Sequence, residues 1–250
     1  MKDLLTLGAG DWVATLPSVG TVTVDVNGGV TVSTDPGVDA GAAQMLAQNW
    51  GEPLSCLRRG RTLLFTTTLV DPQTGLALAV MGRNRHEQEI MLLMAQQGWR
   101  VVADSLTPIT VVGGDVIAEP RTASVVVSRD LVQKYPVPVV SRQRPGGTGV
   151  TIDIGRADAP ARLVMAVQLS ERHPAGITPV LGLDKIVWAQ GVILRICHTV
   201  HEPTAVFAAT TAMARLSICT FGIDRVGDDT VPEAMERLTD LWATNRGASE

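Results

Sequence analysis

The feature that most constrains the fold of this 250-residue chain is an apolar strand that ends at a glycine and leads into a helix. The strand, Leu76–Met81, precedes Gly82, and an apolar helix over 90–97 ends before Gly98. A second strand over 99–103 carries Asp104 at its end. Strand, turn, helix, strand and terminal carboxylate is the order of a P-loop phosphate site followed by a Walker B acid. This order predicts an α/β fold.

The loop after Gly82 departs from the phosphate-binding pattern G-x-x-x-x-G-K-[ST]. Glu87, Gln88 and Glu89 occupy the positions of the second glycine, the lysine and the hydroxyl residue. A P-loop binds phosphate through backbone N–H groups, a helix N-terminus and the lysine, so two carboxylates there repel the anion. We therefore interpret residues 82–89 as a degenerate phosphate loop. The remaining residues of this loop are Arg83, Asn84, Arg85 and His86. They form either a recognition loop, in which an arginine restores part of the positive charge, or a solvated turn.

Composition limits the classes of function. A net charge of −4 and a pI near 5.6 argue against nucleic acid as the main ligand. Charged residues make up only 18% of the chain, which suggests that part of the surface is buried in a homo-oligomer or a hetero-complex. Three scattered cysteines do not make a disulfide framework, and the sequence has no apolar run long enough for a signal peptide or a membrane span. We expect a cytoplasmic protein that does not bind membranes.

The order of segments predicts a β-rich N-terminal subdomain over 1–60 and a larger α/β domain over 61–250. In the first, strands over 22–26 and 30–34 flank an Asn-Gly turn, and a helix follows over 39–50. In the second, the strongest later strand covers 163–169. Helices over 184–200, 203–213 and 231–245 and a strand over 215–221 complete the prediction.

The segment 98–109, Gly-Trp-Arg-Val-Val-Ala-Asp-Ser-Leu-Thr-Pro-Ile, resembles the motif G-[WH]-R-L-[LI]-A-D-D-L-x-P-[LI] of the HPr kinase/phosphorylase-like proteins. Their P-loop domain is related to PEP carboxykinase, and the similarity extends over about 65–121. In that family the loop holds ATP, an Asp acts as base toward a seryl hydroxyl, and a neighbouring acid assists the metal. The resemblance gives Asp104 the role of the base, and Ser105 stands where the second acid is expected. Glycine, lysine, hydroxyl and second acid are thus all replaced.

The resemblance and these replacements together suggest a pseudokinase-like accessory protein without ATP-dependent phosphoryl transfer and without a cofactor. Related small kinases are encoded with ribosomal peptide natural products, so the expected partner is a peptide or protein. Two alternatives remain: an enzyme with a repurposed site, in which Asp104 and the acids, histidine and arginines of the loop act on a peptide, and a divergent ATP-dependent serine kinase. Whether the chain is an enzyme stays open. Candidate partner-binding residues are Ser105, Arg121, Arg142 and Arg144.

One further cluster has the residue types of a metal site. Cys197, His198 and His201 lie close in sequence, and the two histidines would share a helix face. A second cluster with ligand spacing is missing, so a helix-end cluster before Pro203 is the preferred interpretation.

Overall fold

The computed structural model describes residues 5–82, 85–121, 125–136, 142–143, 149–152, 154–170, 173, 176–222 and 230–247. The chain divides into two compact units. The first contains Met1–Leu63 together with Leu194–Val206, and the second contains Leu64–Ile193 together with Phe207–Glu250. The sequence placed the boundary at residue 60 and did not foresee that a later segment returns to the first unit.

The first unit is built on a four-stranded antiparallel sheet in the order β1-β2-β3-β4. The strands are β1 (Leu5–Thr6), β2 (Trp12–Leu16), β3 (Gly20–Val24) and β4 (Val30–Thr34). Helix α1 (Ala40–Leu46), a π-helical turn (Ala47–Gly51) and helix α2 (Glu52–Arg58) pack on this sheet. The alternation of β3 buries Val22 and Val24 beneath these helices, which closes a small separate core.

The predicted hairpin forms, but its turn differs from the prediction. The strands end at Val24 and begin again at Val30, so the connection has five residues instead of a two-residue Asn-Gly turn. Asp25 explains the longer loop, because its Oδ1 accepts the N–H groups of Asn27 at 2.7 Å and Gly29 at 2.8 Å. Gly28 supplies the left-handed backbone that this loop requires, with φ 82°.

The second unit contains a mixed sheet and a smaller three-stranded sheet. The strands that follow β4 are β5 (Thr62–Leu64, at the boundary between the units), β6 (Thr67–Val70), β7 (Leu76–Met81), β8 (Arg100–Ala103), β9 (Thr107–Val112), β10 (Asp115–Ala118), β11 (Val125–Ser128), β12 (Arg142–Gln143), β13 (Gly149–Ile152), β14 (Ala161–Ser170), β15 (Gly176–Pro179) and β16 (Ser217–Gly222). The small sheet has the order β11-β13-β12 and is antiparallel.

Strand β14 is the centre of the mixed sheet. On one side it pairs in parallel with β7. On the other side its first residues pair with β10 antiparallel, and from Met165 onward it pairs in parallel with β16. Beyond β7 come β6 and then β8, each antiparallel to its neighbour, so β8 runs parallel to β7. The ends of β7 and β8 and the start of β6 therefore lie at one edge of the sheet.

The helices after α2 are α3 (Arg85–Gln96), α4 (Arg129–Lys134), α5 (Asp184–Val192), α6 (Cys197–Val200), α7 (Pro203–Ala214) and α8 (Thr230–Gly247). The single helix predicted over 184–200 is wrong, because the chain is extended at Ile193, which forms a bridge with Leu64. The helices predicted over 203–213 and 231–245 and the strand over 215–221 are present, with ends shifted by one or two residues. None of the helices in the described ranges combines the length and apolar character that a membrane crossing requires.

The core of the second unit lies between the mixed sheet, α3, α8 and the small sheet. Trp99, just before β8, packs edge-on against Trp242 of α8 with ring centroids 4.8 Å apart. The indole N–H of Trp242 donates to the buried Asp71 at 3.1 Å, so this polar pair is satisfied. The predicted fold class is confirmed: an α/β protein with a mixed sheet, flanking helices and a small β-rich N-terminal part.

Candidate functional site

Helix α3 begins earlier than the sequence predicted. We expected it at Ile90, after a loop over 83–89, but its first residue is Arg85. Good helix-forming residues and an acid in the first turn explain the early start. Only two residues, Arg83 and Asn84, separate Gly82 from the helix, and both lie outside the described residues. Glu87, Gln88 and Glu89 are therefore helical, whereas the P-loop pattern needs a longer loop to surround phosphate.

A cleft of about 500 Å³ opens at the sheet edge where β7 and β8 end and β6 begins. One wall consists of Thr67, Asp104 and the first turn of α3, and the other consists of β11 and the start of α4. Gly82 also lines the cleft, and a Cβ atom at this position would lie 3.1 Å from the side chain of Leu169. The described lining residues are Phe65, Thr66, Thr67, Gly82, Arg85, Glu87, Gln88, Met91, Asp104, Ser105, Val125, Ser128 and Asp130.

The hydroxyl of Thr67 joins two carboxylates in this cleft. Its Oγ1 lies 2.8 Å from Oε1 of Glu87 and 2.9 Å from Oδ1 of Asp104. It also accepts the backbone N–H of Ser105 at 3.2 Å. A threonine hydroxyl has a single proton, so at any moment it donates to only one of the two carboxylates. Thr67 therefore links the two carboxylates without bonding to both of them at once.

Burial raises the pKa of Asp104 above its ordinary value of 3.8. Hydrogen bonds from Thr67 and Ser105 and the positive charge of Arg121 act in the opposite direction but do not cancel the effect of burial. A carboxyl group with a raised pKa keeps its proton to a higher pH than an exposed aspartate does. The cleft therefore contains one carboxyl group, that of Asp104, whose ionised form is disfavoured by burial.

Ser105 occupies a strained turn directly after Asp104. Its φ of 63° is in the left-handed region, which a residue other than glycine seldom adopts. The N–H of Leu106 donates to the carbonyl of Asp104 at 2.7 Å, which closes a γ-turn. The turn leaves the Ser105 side chain exposed in the cleft, with its hydroxyl 3.3 Å from Oδ1 of Asp104.

The described residues that line the cleft include more acidic than basic side chains. Among the described lining residues, Glu87, Asp104 and Asp130 are acidic and Arg85 is basic. Arg85 is engaged by carboxylates, since it lies 2.7 Å from Asp130 and 3.9 Å from Glu89. Its charge is thus largely compensated inside the protein. The first turn of α3 places Glu87 in the cleft, and the described lining residues include no lysine.

Glu89 and His86 do not line the cleft. The Glu89 side chain is 1% exposed, and its carboxylate lies 3.1 Å from Nδ1 of His86 and 3.5 Å from Nζ of Lys134. The neighbouring Gln88 accepts the backbone N–H of Ser128 at 3.1 Å. These contacts tie α3 to α4 and β11, so Glu89 holds two elements together instead of facing a ligand.

The other predicted residues have separate positions. The backbone N–H of Arg121 donates to the carbonyl of Val102 at 2.9 Å, which places this residue beside the Asp104 strand but outside the cleft lining. Arg142 is in β12, but only its backbone is described, and Arg144 lies outside the described residues. Sequence reasoning missed Thr67 and Lys134. A run of three threonines at the start of β6 was the available signal for Thr67.

Two of the three candidate metal residues, Cys197 and His201, form hydrogen bonds within the first unit. Cys197 is buried and its Sγ accepts the N–H of Leu63 at 3.3 Å, and burial raises the pKa of its thiol. His201 Nε2 lies 2.8 Å from the carbonyl of Arg61, while His198 is exposed. The described part of the chain contains no group of three or more His, Cys, Asp or Glu residues arranged to hold a metal ion.

No protein-family model matches the chain, and no curated protein matches it. Among solved structures, the chain is similar to the Hpr(Ser) kinase/phosphatase from Coxiella burnetii, with 11% sequence identity and a TM-score of 0.40. The match covers 75% of this chain and 94% of that one.

Proposed function

We propose that this protein is a pseudokinase-like accessory protein, in which an HPr-kinase-like scaffold with a degenerate phosphate loop binds a peptide or protein partner and transfers no phosphate. The observation that carries the proposal is the pairing of Glu87 and Asp104 through Thr67, directly at the first turn of α3. In a kinase of this type that position belongs to the phosphates. Two carboxylates there oppose a polyphosphate, since like charges close together in a partly buried site repel strongly.

The same charges favour a cationic group from a partner. A lysine ammonium, an arginine guanidinium or an N-terminal amine could form charge-assisted hydrogen bonds to both carboxylates beside the Thr67 hydroxyl. The cleft of about 500 Å³ is large enough for one such side chain and its flanking backbone. Maturation of a ribosomal peptide natural product is the setting that the sequence resemblance favours, with the chain working in a homo-oligomer or a hetero-complex.

The first test measures the melting temperature of the protein with ATP, GTP, ADP and pyrophosphate, each with and without Mg²⁺. A ligand that binds only the folded state raises the free energy of unfolding by about 2.7 kcal/mol at a hundredfold excess over Kd. We expect no shift with any of the four. A Mg²⁺-dependent shift would contradict the proposal and favour a divergent serine kinase.

The second test measures binding of lysine-containing and glutamate-containing tetrapeptides by calorimetry. We expect the wild-type protein to prefer the lysine peptides and the double variant Glu87→Gln/Asp104→Asn to lose that preference. Asp115→Asn removes one exposed carboxylate from the β9–β10 turn, outside the cleft, and serves as the matched control. Equal binding of both peptide classes by the wild-type protein would contradict a cationic partner.

A second candidate function rests on the raised pKa of Asp104. With Thr67 as a bridge, Asp104 and Glu87 are placed to pass a proton, which supports a repurposed enzyme acting on a peptide. Glu89 and His86 would take no part, since they bond to each other outside the cleft lining. Mass spectrometry of peptides incubated with the protein separates the two candidates. A covalent change that Asp104→Asn abolishes would establish the enzyme, and unchanged peptides that still bind would support the accessory role.

A further inference from the structure

The outer edge of β4 has free backbone hydrogen-bonding groups. β4 is the last strand of the N-terminal sheet, and it pairs only with β3 among the described strands. The bond from Asp25 N–H to the Gly29 carbonyl and the bond from Asp35 N–H to the Val19 carbonyl fix which pairs of the ladder are hydrogen-bonded. Hydrogen-bonded and non-bonded pairs alternate in an antiparallel ladder, so Thr31 and Ser33 bond to β3.

The backbones of the alternate residues, Val30, Val32 and Thr34, therefore point away from the sheet. No described residue provides a hydrogen-bond partner for the N–H and carbonyl groups of these three positions. They form a row of three donors and three acceptors at the i, i+2, i+4 spacing that an added strand requires.

The described residues of β4, Val30–Thr34, lack several of the usual protections against pairing, and Asp35 and Pro36 follow only after its last residue. Natural edge strands carry lysine, proline or a β-bulge that prevents another strand from joining. β4 reads Val-Thr-Val-Ser-Thr, and its register with β3 is continuous. β-branched residues throughout give it high strand propensity. The residues of β4 are therefore uncharged and regularly paired on one side, which favours the addition of another strand.

Apolar side chains and charge indicate what would bind there. Val30 and Met45 are each 39% exposed, and α1 packs directly on β4. A strand beside β4 would place alternate side chains next to these apolar groups. The chain from 29 to 51 contains Asp35 and Asp39 but no lysine or arginine, so a basic residue in the incoming strand is favoured beyond the Thr34 end.

We propose that the β4 edge binds an extended segment of a partner peptide as a fifth strand, with alternating apolar residues and a basic residue near Asp35 and Asp39. This site is separate from the cleft at Asp104 and does not depend on the function proposed for that cleft. Backbone hydrogen bonds would supply affinity, and the row of apolar contacts would supply selectivity for alternating sequences.

The test uses the fluorescein-labelled peptide Lys-Val-Thr-Val-Thr-Val, which follows the alternation of β3, and measures its fluorescence anisotropy with the full chain. Val32→Pro removes one outward N–H while leaving the bonds of β4 to β3 intact, because the Val32 N–H does not face β3. Val32→Thr keeps the N–H and the β-branched shape and is the matched control. We expect Val32→Pro to weaken binding about tenfold or more and Val32→Thr to change it little.

A second measurement keeps the protein unchanged and alters the peptide. N-methyl groups on one set of alternate peptide residues should abolish binding, whereas the same number on the other set should leave it intact, because only one set faces β4. Equal effects of the two sets would overturn the proposal, as would a Val32→Pro variant that melts like the wild type and binds the peptide equally well. Light scattering provides the remaining check. A dimer that Val32→Pro dissociates and that the peptide does not disrupt would show that the edge pairs with a second copy instead, and would also overturn it.

Discussion

Removing the Thr67 hydroxyl is the most informative perturbation of the cleft, because this one oxygen atom lies within hydrogen-bond distance of Glu87, Asp104 and the Ser105 N–H. Thr67→Val keeps the shape of a side chain that is only 1% exposed and removes Oγ1. The N–H of Ser105 loses its acceptor and one of the two carboxylates loses its donor. The lost acceptor of the Ser105 N–H and the lost donor to a carboxylate each cost about 1–3 kcal/mol, with values toward the lower end where water reaches the cleft, so we expect a loss of about 2–4 kcal/mol in the free energy of unfolding. Thr67→Ser keeps the hydroxyl and should lose about 1 kcal/mol for the missing methyl group.

The loss should also depend on pH with a defined sign. The Thr67 hydrogen bond lowers the pKa of Asp104, so Thr67→Val raises it further above the ordinary value of 3.8. A folded protein that holds this proton more tightly than the unfolded chain loses stability as pH rises from the unfolded pKa to the folded one. In Thr67→Val that decline continues to a higher pH, so its deficit relative to the wild type grows toward neutral pH.

Urea denaturation followed by circular dichroism at about pH 4.5 and about pH 7.5 measures both effects. Thr67→Ser, measured in parallel, separates the hydroxyl from the methyl group. The reasoning would be refuted if Thr67→Val and Thr67→Ser were equally stable at the higher pH. A Thr67→Val deficit that stays constant or shrinks as pH rises would refute the conclusion that the Thr67 hydrogen bond lowers the pKa of Asp104.

Three further outcomes follow from the structure. Asp104→Asn should raise the melting temperature near neutral pH, since it removes a carboxylate whose ionised form is disfavoured by burial, and the gain should vanish toward pH 4 in scanning calorimetry. Trp242→Phe keeps an aromatic ring in the core but leaves Asp71 without its indole donor, so denaturant titration should give a loss of about 1–3 kcal/mol; a loss under about 0.5 kcal/mol would contradict the buried bond. Burial raises the pKa of the Cys219 thiol to about 12, so a thiol reagent near pH 8 should modify the less buried Cys56 first in the native protein, and equal rates would contradict the burial of Cys219.

The sequence predicts the elements well where their periodicity is strong. The apolar strand Leu76–Met81, the strand over 163–169 and the terminal amphipathic helix are all present, because burial on a sheet or on one helix face leaves a regular apolar pattern. The predicted start of α3 at Ile90 is wrong. Residues Arg85 to Glu89 are polar and show no apolar periodicity, so the sequence predicts a loop where the helix in fact begins. Their partners come from distant parts of the chain, as Lys134 and Asp130 illustrate.

The site was predicted only in part for the same reason. Asp104 at a strand end follows from local sequence, and the structure places it in the cleft with Glu87 and Ser105. Thr67 enters the site through the antiparallel pairing of β6 with β7 and β8, and no local pattern encodes which of several threonines faces a carboxylate. Glu89 lies on the face of α3 that contacts Lys134 and not on the face that lines the cleft. A helix predicted to begin at Ile90 does not include Glu89, so the sequence could not assign this residue to either face.

The central position of β14 has a consequence for how the chain is made. β7 ends at Met81, and its parallel neighbour β14 begins 80 positions later at Ala161. During synthesis β7 therefore emerges from the ribosome before β14 has been made. The N–H and carbonyl groups on that edge of β7 then lack their strand partner and can contact solvent or other nascent chains. Parallel pairing between remote segments forms slowly, because a long loop must close before any contact stabilises it. Nascent chains that end before residue 161 should therefore leave this side of β7 unpaired and aggregate more readily than chains that include β14.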